Sequence, residues 1–194
     1  MNNYQKIAIS FVLIINSYLL FIIYNYWKAD IYFNSSQFEK ALEITPNEPN
    51  YISKLALSEN SIDTAFKALK LNPYNQNSRK ILISNLVSSN NLEQAEYIII
   101  DGIYKSPHDP KLYYQLGILQ LKIGKNKEAI ESLEKSVELK PNYKEGRFAL
   151  GSTYKALGKN SQATEQFEYI LKNIDPNDEL TKKYLDQIIE LQNR

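Results

Sequence analysis

The 194-residue chain contains no cysteine. Disulfide cross-links, thiolate metal sites and thiol catalysis are therefore excluded. The absence does not fix a compartment, since cysteine-free chains suit reducing and oxidising surroundings alike. There is a single histidine, His108, so a two-histidine metal site cannot be assembled. It stands in Ser106-Pro107-His108-Asp109, between two segments of helical periodicity, where a solvated loop side chain is expected. Neither sign of charge is in excess: 23 basic residues face 22 acidic ones. The charges also interleave, as in Lys127, Glu128, Glu131, Glu134 and Lys135. A surface that tracks phosphates needs a basic stripe, and none is present, so no nucleic-acid partner is expected.

Motifs for chemistry are missing too. The sequence has no G-x-S-x-G, no G-x-x-x-x-G-K-[ST] and no G-x-G-x-x-G. Its carboxylates fall at helix-surface spacing among lysines. Gly151-Ser152 lies within a helical segment, so Ser152 lacks the strained turn that an activated nucleophile needs. The expectation is a non-enzymatic chain with no cofactor and no metal.

What is present is a period of 34 residues. Leu82, Leu116 and Leu150 keep that spacing, as do Ala95, Ala129 and Ala163, and Pro73, Pro107 and Pro141. Such a period means stacked copies of one supersecondary unit. In the clearest copy, Leu112, Tyr113, Leu116, Leu119 and Ile123 recur at three and four, one face of an α-helix. Ala129, Ile130, Leu133, Val137 and Leu139 define a second. Asp109 before Pro110 is a helix start, Gly124 suits a left-handed C-terminal cap, and Pro141 ends the second helix. Asn142 with Glu145 reads as a capping box for the next helix. Glu131–Lys135 and Glu168–Lys172 read as supporting pairs four residues apart.

These residues resemble the tetratricopeptide repeat, whose pattern is W-x2-L-G-x2-Y, A-x3-F, P. One unit reads Arg147-x2-Leu150-Gly151-x2-Tyr154, Ala163-x3-Phe167, Pro176. Another reads Tyr113-x2-Leu116-Gly117-x2-Gln120, Ala129-x3-Leu133, Pro141, and a looser one Arg79-x2-Leu82-Ile83-x2-Leu86, Ala95-x3-Ile99, Pro107. Gln120 replaces the usual aromatic residue, and Pro176 comes one residue late. The resemblance implies an all-α, right-handed superhelix. We expect repeats at 76–109, 110–143 and 144–177. Residues 28–75 are expected to form irregular, shortened units, because Pro46 and Pro73 are only 27 residues apart. Residues 178–194 should form a capping helix and tail.

Residues 7–27 are the other informative segment, after a short tail at 1–6. Ile7 to Tyr24 carries no charge in 18 residues, and Tyr24, Tyr26 and Trp27 form an aromatic cluster at its end. With Tyr26 and Trp27 the run reaches the length of about 20 residues that crosses a bilayer. No small-x-small cleavage site follows, which favours an uncleaved span over a secretory signal. Asn16 and Ser17 are polar positions that a partner helix could bond. A short tail before one span acts as a signal-anchor, which places the repeats on the extracytoplasmic side. Lys, Asn and Ile usage points to an AT-rich bacterial genome.

In the resembled family, the first helix of each pair lines the concave face, where a protein or peptide partner binds. Repeat by repeat, that face takes Asn77, Lys80, Ser84, Val87 and Ser88, then Lys111, Tyr114, Ile118, Leu121 and Lys122. It continues with Glu145, Phe148, Ser152, Lys155 and Ala156. Tyr114, Ile118, Leu121 and Phe148 make an apolar strip edged by Lys80, Lys111, Lys122 and Lys155, suited to a segment with apolar anchors and some acidic character. Ser84 stands where a chaperone-tail clamp would have Asn, so that specialisation is not carried over. The leading expectation is a membrane-anchored scaffold. A second resemblance is to the C-terminal tail of O-antigen ligase-like proteins of cell-envelope polysaccharide assembly, through Trp27-x-Ala29-Asp30, Pro46-Asn47-Glu48-Pro49-x-Tyr51 and Asn72-Pro73-Tyr74-Asn75. It implies an accessory or truncated module without the transfer centre. A soluble co-chaperone-type adaptor is the third alternative.

Overall fold

The computed structural model describes residues 3–192, which form eleven α-helices and no strand. They divide into two compact units, Met1–Leu82 and Ile83–Arg194. The tail residues Met1, Asn2, Asn193 and Arg194 lie outside the described residues.

In the first unit α1 runs unbroken over Asn3–Asn34, as a stretch without Gly or Pro allows. Its segment Ile9–Asn34 is long and apolar enough to cross a membrane. Phe11, Leu13, Ile14, Leu20 and Phe21 all stand exposed on it. The character changes in the last two turns. Ala29 is fully buried with Ala41 and Tyr51, and Tyr32 and Phe33 pack against them. The Phe33 and Tyr51 rings stack at 4.7 Å, and the Tyr51 hydroxyl donates to Asp30. One helix thus serves as the apolar stretch and as the first packing helix of the unit.

The helices that follow are α2 (Phe38–Ile44), α3 (Pro49–Glu59) and α4 (Ile62–Leu71), of 7, 11 and 10 residues. Helices α6 to α11 have 13 or 14 residues, so the shortening accounts for the close spacing of Pro46 and Pro73. Helix α5 (Gln76–Ser88) begins in this unit. Asn75 secures its start, accepting from the Ser78 N–H at 3.0 Å and from the Ser53 hydroxyl at 3.1 Å.

The second unit holds the rest of α5, then α6 (Leu92–Lys105), α7 (Pro110–Lys122), α8 (Asn126–Leu139), α9 (Lys144–Ala156), α10 (Asn160–Asn173) and α11 (Glu179–Gln192). Helices α7 with α8, and α9 with α10, form the closest pairs. A methyl group at Gly117 would meet the Leu133 side chain at 2.7 Å, so the small residue is what lets α7 and α8 approach. Turns repeat with the period: Asn90, Gly124 and Gly158 are 34 apart and all left-handed, with φ of 59°, 79° and 71°. The core holds Leu133, Leu150, Tyr154, Ala163, Phe167, Ile170 and Ile188. Ile188 belongs to α11, so the last helix is seated on the core rather than trailing from it.

Helix starts agree with the sequence at α7, where Asp109 accepts from the Lys111 N–H at 3.0 Å and Pro110 follows. They differ at α9. Tyr143 is its N-cap and makes no side-chain cap bond. Asn142 does not cap; its side chain accepts instead from the Tyr169 hydroxyl at 3.1 Å. Lys135 turns forward to Glu138, 2.8 Å away, rather than back to Glu131. Exposed lysines choose among several carboxylates at similar small gain, so the register did not select the partner.

Candidate functional site

An open groove of about 820 Å³ runs along the second unit. Its walls come from α7, α9 and α11. Tyr114, Ile118 and Leu121 form the first wall; Phe148, Ala149, Ser152 and Ala156 the second; Leu180 and Tyr184 the third. Lys144, Glu145 and Asp178 also line it, as do Asn126 and Leu157. Ile118 and Leu180 remain 40% and 52% exposed, so apolar surface is left for a ligand to cover.

The aromatic side chains are held from behind. Phe148 packs on the core ring of Phe167 at 5.6 Å and on Tyr184 at 5.1 Å, edge to face. It is therefore a wall, half-buried by the protein itself, rather than a free anchor. Tyr114 meets Tyr143 edge to face at 5.6 Å. Burial, and then the nearby Glu145 carboxylate, pushes the Tyr114 phenol up. The same two causes, with Tyr114 and Asp109, push Tyr143 up to about 12. Both phenols keep their protons at neutral pH, so they can donate hydrogen bonds. The Ser152 hydroxyl is shielded from solvent and has no hydrogen-bond partner among the described residues.

One end of the groove is fixed by an ionic knot. The Lys144 ammonium lies 2.8 Å from Asp175 and also pairs with Asp178. Asp178 in turn caps α11, accepting from the Leu180 and Thr181 N–H groups at 3.1 and 3.2 Å. The hydrogen bonds to Asp175 and Asp178 raise Lys144 to about 12, and Lys144 holds both carboxyls below their usual range.

Seven residues expected from the sequence meet in this groove: Tyr114, Ile118, Leu121, Glu145, Phe148, Ser152 and Ala156. The others lie elsewhere. Lys122 donates to the Val87 carbonyl at 3.2 Å, and so helps terminate α5. Lys155 bonds the Gln187 side chain and sits 4.5 Å over the Tyr184 ring, tying α9 to α11. Lys111 and Ser84 are exposed outside the lining. Lys80 is exposed in the first unit. The third wall was not foreseen. Because Pro176 comes one residue late, α11 follows α9 at a spacing of 35, which sets Leu180 against Glu145 and Tyr184 against Ala149. That shifted register was the signal that could have found it.

The helix pair α7–α8, with its Gly117–Leu133 contact and the inner residues of α7 turned to the groove, is the unit that matches a known family. Residues 110–143 match the family model of the tetratricopeptide repeat. This stretch is a tetratricopeptide repeat. The Protein CTR9 homolog of Arabidopsis thaliana is 29% identical over 142 residues, covering 71% of this chain and 13% of that protein. The chain spans 13 to 30% of the length of the curated relatives it matches. Among solved structures, YrrB, a TPR protein with an unusual peptide-binding site, superposes with a TM-score of 0.61 at 21% identity, covering 80% of this chain and 84% of that one. The first TPR of Spaghetti (RPAP3), bound to the HSP90 peptide SRMEEVD, gives 0.55 at 19% identity, covering 60% and 94%. The tetratricopeptide fold therefore extends beyond the matched repeat.

Proposed function

We propose that this chain is a non-enzymatic, single-pass membrane adaptor that holds a segment of a partner protein in the groove between α7, α9 and α11. The observation that carries the reading is the groove itself: apolar and aromatic walls from three successive inner helices, with a few polar groups placed among them. Concave surfaces of this kind are how stacked repeats bind. YrrB has a peptide-binding site and the Spaghetti repeat holds a peptide, which supports the same class of ligand here.

The ligand chemistry follows from the lining. Lys122 and Lys155 are engaged within the protein, and Lys144 is neutralised by two aspartates. An acidic partner therefore gains little, and we infer a segment with apolar anchors. The sites at Ile118 and Leu180 would take those anchors, and the Tyr114 phenol would bond its backbone. Helix α1 supplies the anchor, its exposed apolar length matching a bilayer. We place the repeats on the extracytoplasmic side, by the signal-anchor argument. A cysteine at Ser106 that reacts with an impermeant reagent only after lysis would contradict that placement.

The test is affinity capture of the full chain from native membranes, beside Ile118→Asp with Leu180→Asp. Both residues are exposed, so the variant should fold. Loss of the captured protein supports the groove. Unchanged capture by the folded variant removes it.

A further inference from the structure

Helix α6 carries an exposed stripe of Tyr97, Ile100 and Tyr104, at 70%, 51% and 87% exposure. Their spacing of three and four puts them on one face. The internal repeat supplies a control. Thirty-four residues on, the same positions of α8 are Glu131, Glu134 and Glu138; in α10 they are Glu165, Glu168 and Lys172. All six are exposed. Three successive outer helices thus share one solvent-facing register, charged in two and apolar only in α6. A single exposed apolar residue needs no explanation, but three on one face do.

The surroundings narrow the occupant. The ion pair from Lys125 to Glu96, at 3.3 Å, ties the start of α8 to α6. Glu93 stands exposed one turn before Tyr97 on α6 itself, and Glu131 is exposed in the first half of α8, whereas Glu134 accepts from the Tyr154 hydroxyl of α9. The exposed Lys127 offsets them only in part, and Lys135 is taken up by Glu138. A second copy would bring the same carboxylates against these, and an anionic bilayer would be repelled by them. We propose that the outer face of α6 is a second docking site, for a partner helix bearing an apolar stripe flanked by lysine or arginine. Helices with apolar anchors at three- and four-residue spacing are a recurrent ligand of such faces, and the acidic neighbours select the basic ones.

The probe is a 14-residue helical peptide with leucines at that spacing and lysines on both flanks, and its control has glutamates in place of the lysines. Binding is read by fluorescence anisotropy on the full chain in neutral phosphatidylcholine nanodiscs, with empty discs subtracted. The parent should bind the lysine peptide and not the glutamate one. Tyr97→Glu with Ile100→Glu and Tyr104→Glu should weaken binding by about tenfold or more. Those substitutions place glutamate where α8 carries it in every case, so the variant should keep its helical signal. Glu93→Lys with Glu131→Lys should erase the preference for the basic peptide. Tyr114→Ala should change nothing, which separates this face from the groove. Equal binding of the two peptides, or an unaffected triple variant, overturns the proposal. So does stripe-dependent dimerisation, or stripe-dependent binding to anionic vesicles.

Discussion

Gly151 on α9 faces the ring of Phe167 on α10, and a methyl group there would come within 2.8 Å of it. Phe167 is fully buried and central to the core of the second unit. Gly151→Ala should therefore force ring or helix displacement and cost about 1–3 kcal/mol, as overpacking does. Gly158→Ala meets no neighbour but keeps φ at 71°, so its cost is backbone strain, of order 1 kcal/mol. Thermal unfolding of the full chain in detergent, with both variants beside the parent, checks the order.

The knot of Lys144 with Asp175 and Asp178 makes the seating of α11 depend on pH. Both aspartates have lowered folded values. Their contribution is present above the ordinary carboxyl range and is lost as pH falls through those lowered values. Lys144 is raised to about 12, so its contribution persists below its ordinary value and disappears as pH rises through about 12. At neutral pH both are in force. Lys144→Ala should speed amide exchange in α11 at pH 7, and the difference from the parent should vanish in strong acid. A difference that persists there would show that Lys144 acts by packing.

The apolar part of α1 should behave as a span. Val12 and Ile14 are 55% and 64% exposed in the structure. Arginine costs about 2.5–3.5 kcal/mol of insertion at the centre of a span and less toward its ends; Val12 and Ile14 lie in the first half of the stretch, so both are changed together. Val12→Arg with Ile14→Arg should move the protein from the carbonate-resistant membrane fraction to the soluble one. Persistence in the membrane fraction would mean that something other than α1 holds it there.

Much of this was legible in the sequence, because helical periodicity and repeat spacing are local signals. Leu116, Gly117, Ala129 and Leu133 report the helix pair directly, and Tyr114, Ile118, Leu121 and Phe148 follow by register. Lysine reach is not local. Lys122 and Lys155 sit at inner-face positions yet bend to the Val87 carbonyl and to Gln187, which no spacing rule foretells. The wall from α11 was hidden by a single inserted residue before it. The absent cap at Asn142 shows the same limit, since its side chain found Tyr169 across space.

The account turns on whether the α7–α9–α11 groove holds a partner in the membrane-bound protein. The most direct measurement places a photo-crosslinking residue at Ile118 of the full chain in native membranes, and repeats it with Leu180→Asp added. The account predicts one dominant cross-linked protein from position 118, lost when Leu180 is changed. A folded protein that gives no cross-link at 118, or the same cross-link after that change, would contradict it.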